Sequence, residues 1–306
     1  MADVRSWQQA WETTLTGANS FYRGHPPLEH FSTSISLGHE LARHLCEIIE
    51  NLDDGSPLIV TDVGAGGGQL ITYLAEHLHS RPWIHLQAID IRPPPVGLSP
   101  TISWLVADAR TVNLSPAKRV LIAHEMLDDI PCERFEVDEF GIAHLIVVSE
   151  GEIMMGPRLT DDAGCAALDV DAFPLRQWLH HWWPPDRPFM RGEIGLTRDT
   201  TWRHLTAGIT DGLAIAVDYG HLRQERIAGT WDGGTLIGFA HGRARSAQLD
   251  GSCNLTAHVA FDSLATGVPR GDITVRRQSQ ILHNQRLTKP GGLGDLLWLT
   301  QTFTPT

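Results

Sequence analysis

Residues 60–70 read Val60-Thr61-Asp62-Val63-Gly64-Ala65-Gly66-Gly67-Gly68-Gln69-Leu70. The apolar run PLIV leads into this stretch and the helix-patterned QLITYLAEHL leads out of it. Four glycines fall in the five positions between them. Glycines at a strand-to-helix junction let the chain turn sharply and let a ligand approach bare backbone. Dinucleotides, nucleoside triphosphates and S-adenosylmethionine are all bound at such junctions, so the spacing has to choose among them.

A phosphate-cradling loop ends in Gly-Lys-Ser/Thr. This one ends Gly67-Gly68-Gln69, with no lysine near. The dinucleotide fingerprint is G-x-G-x-x-G/A. Here Gly64, Gly66 and Gly68 are spaced G-x-G-x-G, and Asp62 stands two residues before the first. A carboxylate there would repel a pyrophosphate and attract the ammonium of a methionyl group. Rossmann-like methyltransferases show this spacing with a preceding acid. Asp62, Gly64, Ala65, Gly66 and Gly68 are therefore expected to hold S-adenosylmethionine. An NAD-dependent oxidoreductase is disfavoured by the same two features.

Outward from the loop, strand and helix patterns alternate. ISLGHELARHLCEIIE, 35–50, has helical apolar spacing. PLIVTDV, IHLQAIDI, TISWLVAD, RVLIAHEML and GLAIAVDYG read as strands. The order predicts an α/β protein: a Rossmann-like class I fold with a mostly parallel seven-stranded sheet and helices on both faces. From Cys132 the pattern changes. FEVDEFGIAHLIVV reads as two antiparallel strands turning at Phe140-Gly141, and 160–195 is rich in Trp and Pro. An inserted cap or substrate region is expected over 132–210, with 1–131 and 211–306 forming the cofactor-binding catalytic domain.

Asp90 ends the second strand, 22 residues past Gly68, where a carboxylate can accept from both ribose hydroxyls. Asp108, after the third strand, sits where such folds bond the adenine amine. Ile91 and Ala109 adjoin these acids and complete the expected cofactor set.

Composition narrows the function. The chain has 306 residues, 42% hydrophobic and 20% charged, as in soluble globular proteins. A net charge of −12 argues against a dominant nucleic-acid role. No stretch reaches the ~18 apolar residues of a membrane span, and MADVRSWQQAWETTL is neither a secretory nor a transit segment. A cytoplasmic protein without membrane insertion is expected. Cys46, Cys132, Cys165 and Cys253 lie far apart without a CxxC pair, which fits a reducing compartment. His39-Glu40 and His44 miss the H-E-x-x-H spacing by one residue, so no metal is expected. Nothing in the sequence sets an oligomeric state.

The segment LIAHEMLDDIPCERFEV, 121–137, resembles the N-E-F-x-D-A-L-P-x-x-x-F element of the MidA-like family, also called DUF185. FSTSISLGHELARHL, AIAVDYGHLR, GGTLIGFAHGR and NLTAHVAFDSLA resemble further elements of that family in the same order, and GDLLWLTQ resembles its C-terminal helix. The likeness spans roughly 20–303. It departs at Thr33-Ser34-Ile35-Ser36, which lacks a Pro-Glu, at His124 in place of Asn, and at Asn254 in place of Asp. The resemblance implies S-adenosylmethionine-dependent methyl transfer. The family includes the mitochondrial arginine methyltransferase of respiratory complex I assembly. A protein side chain, arginine foremost, is therefore the expected acceptor. A small-molecule acceptor and a noncatalytic cofactor-binding assembly factor are the alternatives.

A guanidinium stays protonated at neutral pH. Carboxylates beside it would orient it and receive its proton. Glu125, at the C-terminal end of the fourth strand, fits that role, with Asp128 and His124 beside it. Asp129 follows on the same turn. Asp218, Tyr219 and His221 end the fifth strand, and His241 and His258 come from the later elements. These five are expected on the substrate side. HHWWPP, 180–185, reads as an apolar contact or a stacking surface.

Overall fold

The computed structural model describes residues 4–17, 35, 39–240, 242–266 and 271–305. Two compact units emerge, each assembled from three stretches of chain.

One unit comprises Phe31–Asp128, Thr200–Gly220 and Ala265–Thr306. Its sheet has seven strands: β1 Leu58–Val63, β2 Ile84–Asp90, β3 Ile102–Val106, β4 Ala117–His124, β5 Ile209–Asp218, β6 Ile273–Arg277 and β7 Leu297–Phe303. The spatial order is β6-β7-β5-β4-β1-β2-β3. Strands β1 to β5 pair in parallel, and β7 runs antiparallel between β5 and β6. The chain order reverses at β1, between β4 and β2. In open α/β sheets the ligand crevice forms beyond the carboxyl ends of the strands at such a switch point.

Alternation builds one core layer. Leu58 and Val60 of β1, Leu86 and Ala88 of β2, Val120 and Ile122 of β4, and Ile215 and Val217 of β5 all point to one face. Helices α1 Glu40–Asn51 and α2 Gln69–Leu78 cover it. They present Leu41, Leu45 and Ile49, and Leu70, Ile71, Leu74 and Leu78, at helical spacing. Each such side chain, fully buried, contributes about 1.5–3 kcal/mol. The layer packs the strand and the helix on either side of the β1–α2 junction into one core.

GDLLWLTQ is not the helix its resemblance implied. A 3-10 turn over Leu293–Asp295 leads into strand β7. Leu297, Leu299, Gln301 and Phe303 alternate with Trp298, which joins the helix-covered core, so both sides of the strand are packed. That two-sided burial suits a strand inserted between two others better than an amphipathic helix.

The other unit comprises Met1–His30, Asp129–Asp199 and His221–Leu264. Its main sheet orders Val4–Ser6, Ala143–Ser149, Glu133–Val137 and Arg191–Ile194, with Glu152–Arg158 also pairing Ala143–Ser149, all antiparallel. The expected turn at Phe140-Gly141 joins two of these strands, with Gly141 at φ 80°. This unit is larger than the 132–210 region expected from the sequence. The strand Val4–Ser6 pairs into its sheet, and Trp7 and Trp11 of the helix Trp7–Thr16 pack with Cys132, Ile146, Ala240 and Leu255. Local sequence pattern does not announce such distant partners.

Candidate functional site

Strand β1 ends at Val63 and the glycine loop follows. Gly64, Gly66 and Gly68 all have positive φ, at 71°, 61° and 75°. Their side-chain-free positions do different work. A Cβ on Gly64 would run into Met126 of the loop after β4. A Cβ on Gly68 would meet Leu98, Pro95 and Trp104 at 3.4–3.5 Å, and Gly68 is also the N-cap of α2. Gly66 is the open member: among the described residues, only an Arg92 guanidinium nitrogen and the Gly64 carbonyl lie within 4 Å of its missing Cβ. The Gly64 and Ala65 N–H groups donate to the Ile89 carbonyl at 2.8 and 3.1 Å, which ties the loop to β2.

Three carboxylates lie at or just beyond the carboxyl ends of β1, β2 and β3. Asp62 is 2% exposed, and its Oδ2 has no hydrogen-bond partner among the described residues. Burial pushes its carboxyl up to about 7, with His124 pulling the other way. Asp90 is nearly buried; its Oδ2 accepts from the Gly66 N–H at 2.8 Å, and its Oδ1 from the Arg92 N–H at 2.9 Å. Asp108 is half-buried. Burial raises its carboxyl, but hydrogen bonds from the Arg110 side chain and backbone outweigh that and hold it below the usual range. Ile91, 45% exposed, offers an apolar face beside Asp90. Ala109 lies in the turn after β3.

The end of β4 is the second cluster. Glu125 adopts φ 49°, a left-handed conformation that costs a non-glycine residue of order 1–3 kcal/mol. Its N–H donates to the Val217 carbonyl at 2.8 Å. The side chain returns to His124, whose Nε2 lies 3.0 Å from Glu125 Oε1. Burial disfavours charge on His124. The Glu125 carboxylate, with Asp62 and Asp218 behind it, overrides burial and raises the imidazole pKa.

Asp218 holds this turn in shape. Its Oδ2 accepts from the Leu127 and Asp128 N–H groups at 2.8 and 3.1 Å, and its Oδ1 from the Tyr219 N–H at 2.8 Å. It is fully buried and engaged in fastening the Glu125–Asp128 turn, rather than turned to a substrate as the sequence reading had it. Asp128 is also buried, in a turn and not at a helix N-terminus. Tyr219 is partly buried; burial, then Glu125, Asp128 and Asp218, raise its phenol.

The remaining expected residues belong to the other unit. His221 is 1% exposed, and its Nδ1 accepts from Arg226 Nη1 at 2.7 Å. Burial and the adjacent guanidinium push its pKa well down, so it is a neutral structural imidazole. His258 stacks edge-on to Trp231, centroids 4.9 Å apart, and its N–H donates to Thr235 Oγ1. Asp129 accepts from the Asn254 amide at 2.7 Å, where the family's aspartate would have set two carboxylates together. His241 and the 33–34 and 36 positions lie outside the described residues. Within HHWWPP, Trp183 is fully buried against Phe135, with Arg226 5.8 Å from its ring. Among the described residues no group of three or more His, Cys, Asp or Glu is placed to hold a metal, and no helix is long and apolar enough to cross a membrane.

Sequence reasoning missed Arg92, Arg110 and Met126. A signal for the arginines was present. Asp90-Ile91-Arg92 and Asp108-Ala109-Arg110 repeat one D-x-R pattern at the ends of consecutive strands.

The strand order and a glycine loop flanked by acids define a Rossmann-like methyltransferase fold. Comparison with known proteins agrees. The chain belongs to the family described as "Putative S-adenosyl-L-methionine-dependent methyltransferase", whose model matches residues 40–274. A search of curated proteins found no match. Among solved structures, a COG1565 superfamily member from Burkholderia thailandensis bound to S-adenosyl-homocysteine is similar over 98% of this chain and 88% of its own, with a TM-score of 0.77 and 17% identity. A second COG1565 superfamily structure from the same organism covers 98% and 87%, at TM-score 0.75 and 17% identity. The protein is an S-adenosylmethionine-dependent methyltransferase.

The residues present fit that cofactor. Asp62 offers an ammonium a buried oxygen without a hydrogen-bond partner among the described residues, Gly66 leaves open backbone, Asp90 ends β2, and Asp108 follows two residues after β3.

Proposed function

We propose that the chain methylates a protonated nitrogen, with a protein arginine side chain as the foremost acceptor, and that Glu125 is the group that orients it. The observation that carries this is the backbone of Glu125. A residue is held at positive φ only when its surroundings over-determine it, and here the Asp218 clamp on Leu127 and Asp128 does so. The clamp sets a carboxylate at the carboxyl end of β4, in the switch-point region.

In the proposed site Asp62 meets the methionyl ammonium, Gly64 to Gly68 pass under the cofactor, and Asp90 and Asp108 take the ribose and adenine. Bound S-adenosylmethionine supplies a methyl group on a cationic sulfur. The protein's part is alignment, exclusion of water and management of one proton. Glu125 accepts hydrogen bonds from the guanidinium and takes the proton that becomes acidic as the nitrogen forms its new bond. His124, whose imidazole pKa the neighbouring carboxylates raise against the effect of burial, stands beside the Glu125 carboxylate, Nε2 3.0 Å from Oε1. Asp128 adds a second carboxylate, and Tyr219, its phenol pKa raised, adds a neutral hydroxyl. A small cationic amine would satisfy the same carboxylates.

The test is Glu125→Gln, assayed with an arginine-rich peptide and with small amines. Cofactor affinity is expected to stay within about twofold while methyl transfer falls by about 100-fold or more. Unchanged turnover would sink the role of Glu125, and transfer to small amines alone would reassign the acceptor.

A further inference from the structure

Asp90 has no lone pair to spare. A carboxylate offers about four acceptor directions. Oδ1 takes the Arg92 N–H at 2.9 Å and the Arg92 Nε–H at 3.1 Å. Oδ2 takes the Gly66 N–H at 2.8 Å and an Arg92 Nη2–H at 3.3 Å. Three of the four donors come from one arginine. The same guanidinium reaches over the glycine loop, with Nη2 3.7 Å from where a Cβ of Gly66 would stand. Arg92 thus covers both the ribose-side carboxylate and the one open glycine of the cradle. Its backbone is anchored, because the Arg92 carbonyl accepts from Trp104 Nε1 at 3.0 Å. Its side chain is 23% exposed, against 6% for Asp90, so the guanidinium has a way out and the carboxylate does not. Asp108 is chelated in the same manner by Arg110, with Nη2 2.8 Å from Oδ2.

We infer that Arg92 is a displaceable plug of the nucleoside subsite. Its guanidinium occupies the hydrogen-bonding positions that a ribose diol needs, and the cofactor binds by exchanging its own donors for those of the arginine. This rests on the proposed placement of the cofactor over Gly66 and Asp90. The exchange leaves the carboxylate satisfied in both states, so no buried charge is stranded when the site is empty. It also makes the observed affinity a difference between two sets of bonds.

The full-length protein is titrated calorimetrically with S-adenosylhomocysteine, adenosine and methionine, as wild type, Arg92→Met, Arg92→Lys and Asp90→Asn. With the plug removed, Arg92→Met should bind S-adenosylhomocysteine and adenosine about three- to tenfold more tightly, in line with one partly exposed charge-assisted contact. Methionine should bind as before. Arg92→Lys, which keeps the charge but loses the fork, should fall between. Asp90→Asn should lose nucleoside affinity. Weaker or unchanged binding in both arginine variants, with Asp90→Asn still impaired, overturns the plug and leaves the site standing. Equal binding by Asp90→Asn and wild type overturns the placement of the site itself.

Discussion

At the scale of single residues, Asp62 is the carboxylate with the sharpest chemical consequence. Burial raises its pKa to about 7, so in the empty protein near neutrality it is partly protonated. An ammonium placed beside it favours the ionised form. Binding therefore releases a proton in the window between the ordinary carboxylate range and about pH 7, and affinity weakens as pH falls below 7, by up to about tenfold per unit. Titrations in two buffers of different ionisation enthalpy count that proton. Asp62→Asn should bind more weakly and show no proton release from this group. Proton release identical in both proteins would remove Asp62 from the role. Glu125 and Asp218 divide labour in a way their types do not reveal. Both are acids at strand ends, yet one fastens three backbone N–H groups and the other is held in a strained backbone beside His124.

Among the elements, the helix Trp7–Thr16 depends on a carboxylate far away in sequence. Ser6 caps it, and Glu133 accepts from Ser6 Oγ at 2.6 Å and from the Gln8 N–H at 3.1 Å. Burial outweighs these bonds and raises the Glu133 pKa to about 7. A folded pKa above the unfolded value means the folded state favours the neutral form. The contribution is fully present below the unfolded pKa, near 4.5, and is lost as pH rises through about 7. Amide exchange in residues 8–12, corrected for intrinsic rates, should show protection falling from pH 5.5 to 8. Glu133→Gln should flatten that slope. A flat profile in the wild type would show that Glu133 does not titrate in this range. The alternation of β1, β2, β4 and β5 was readable because a pleated strand repeats every two residues. GDLLWLTQ was expected as a helix on its resemblance alone, whereas Leu297, Leu299, Gln301 and Phe303 keep the period of two of a strand.

For the whole molecule, all four cysteines are buried and free. Burial raises each thiol, Cys46 and Cys132 to about 11. The thiolate is the reactive form. The native protein should therefore react slowly with a thiol reagent at pH 8, and denaturation should release four equivalents. A thiol titrating within seconds in the native state would contradict this packing. Two units, each closed from three separate stretches, draw in chain from well outside 132–210. A sheet is completed by whichever strands reach it, here Val4–Ser6, and pairing between distant segments carries no local signature.

The sequence by itself determined the strand–glycine loop–helix junction, because glycine spacing is a local constraint set by backbone freedom. It also determined the α/β order of strands, because hydrophobic period is local. Only the tertiary structure decided what each carboxylate does. Asp90 is saturated by Arg92, Asp218 is spent on a turn, and Asp129 meets Asn254, because burial and partnership depend on neighbours that folding supplies.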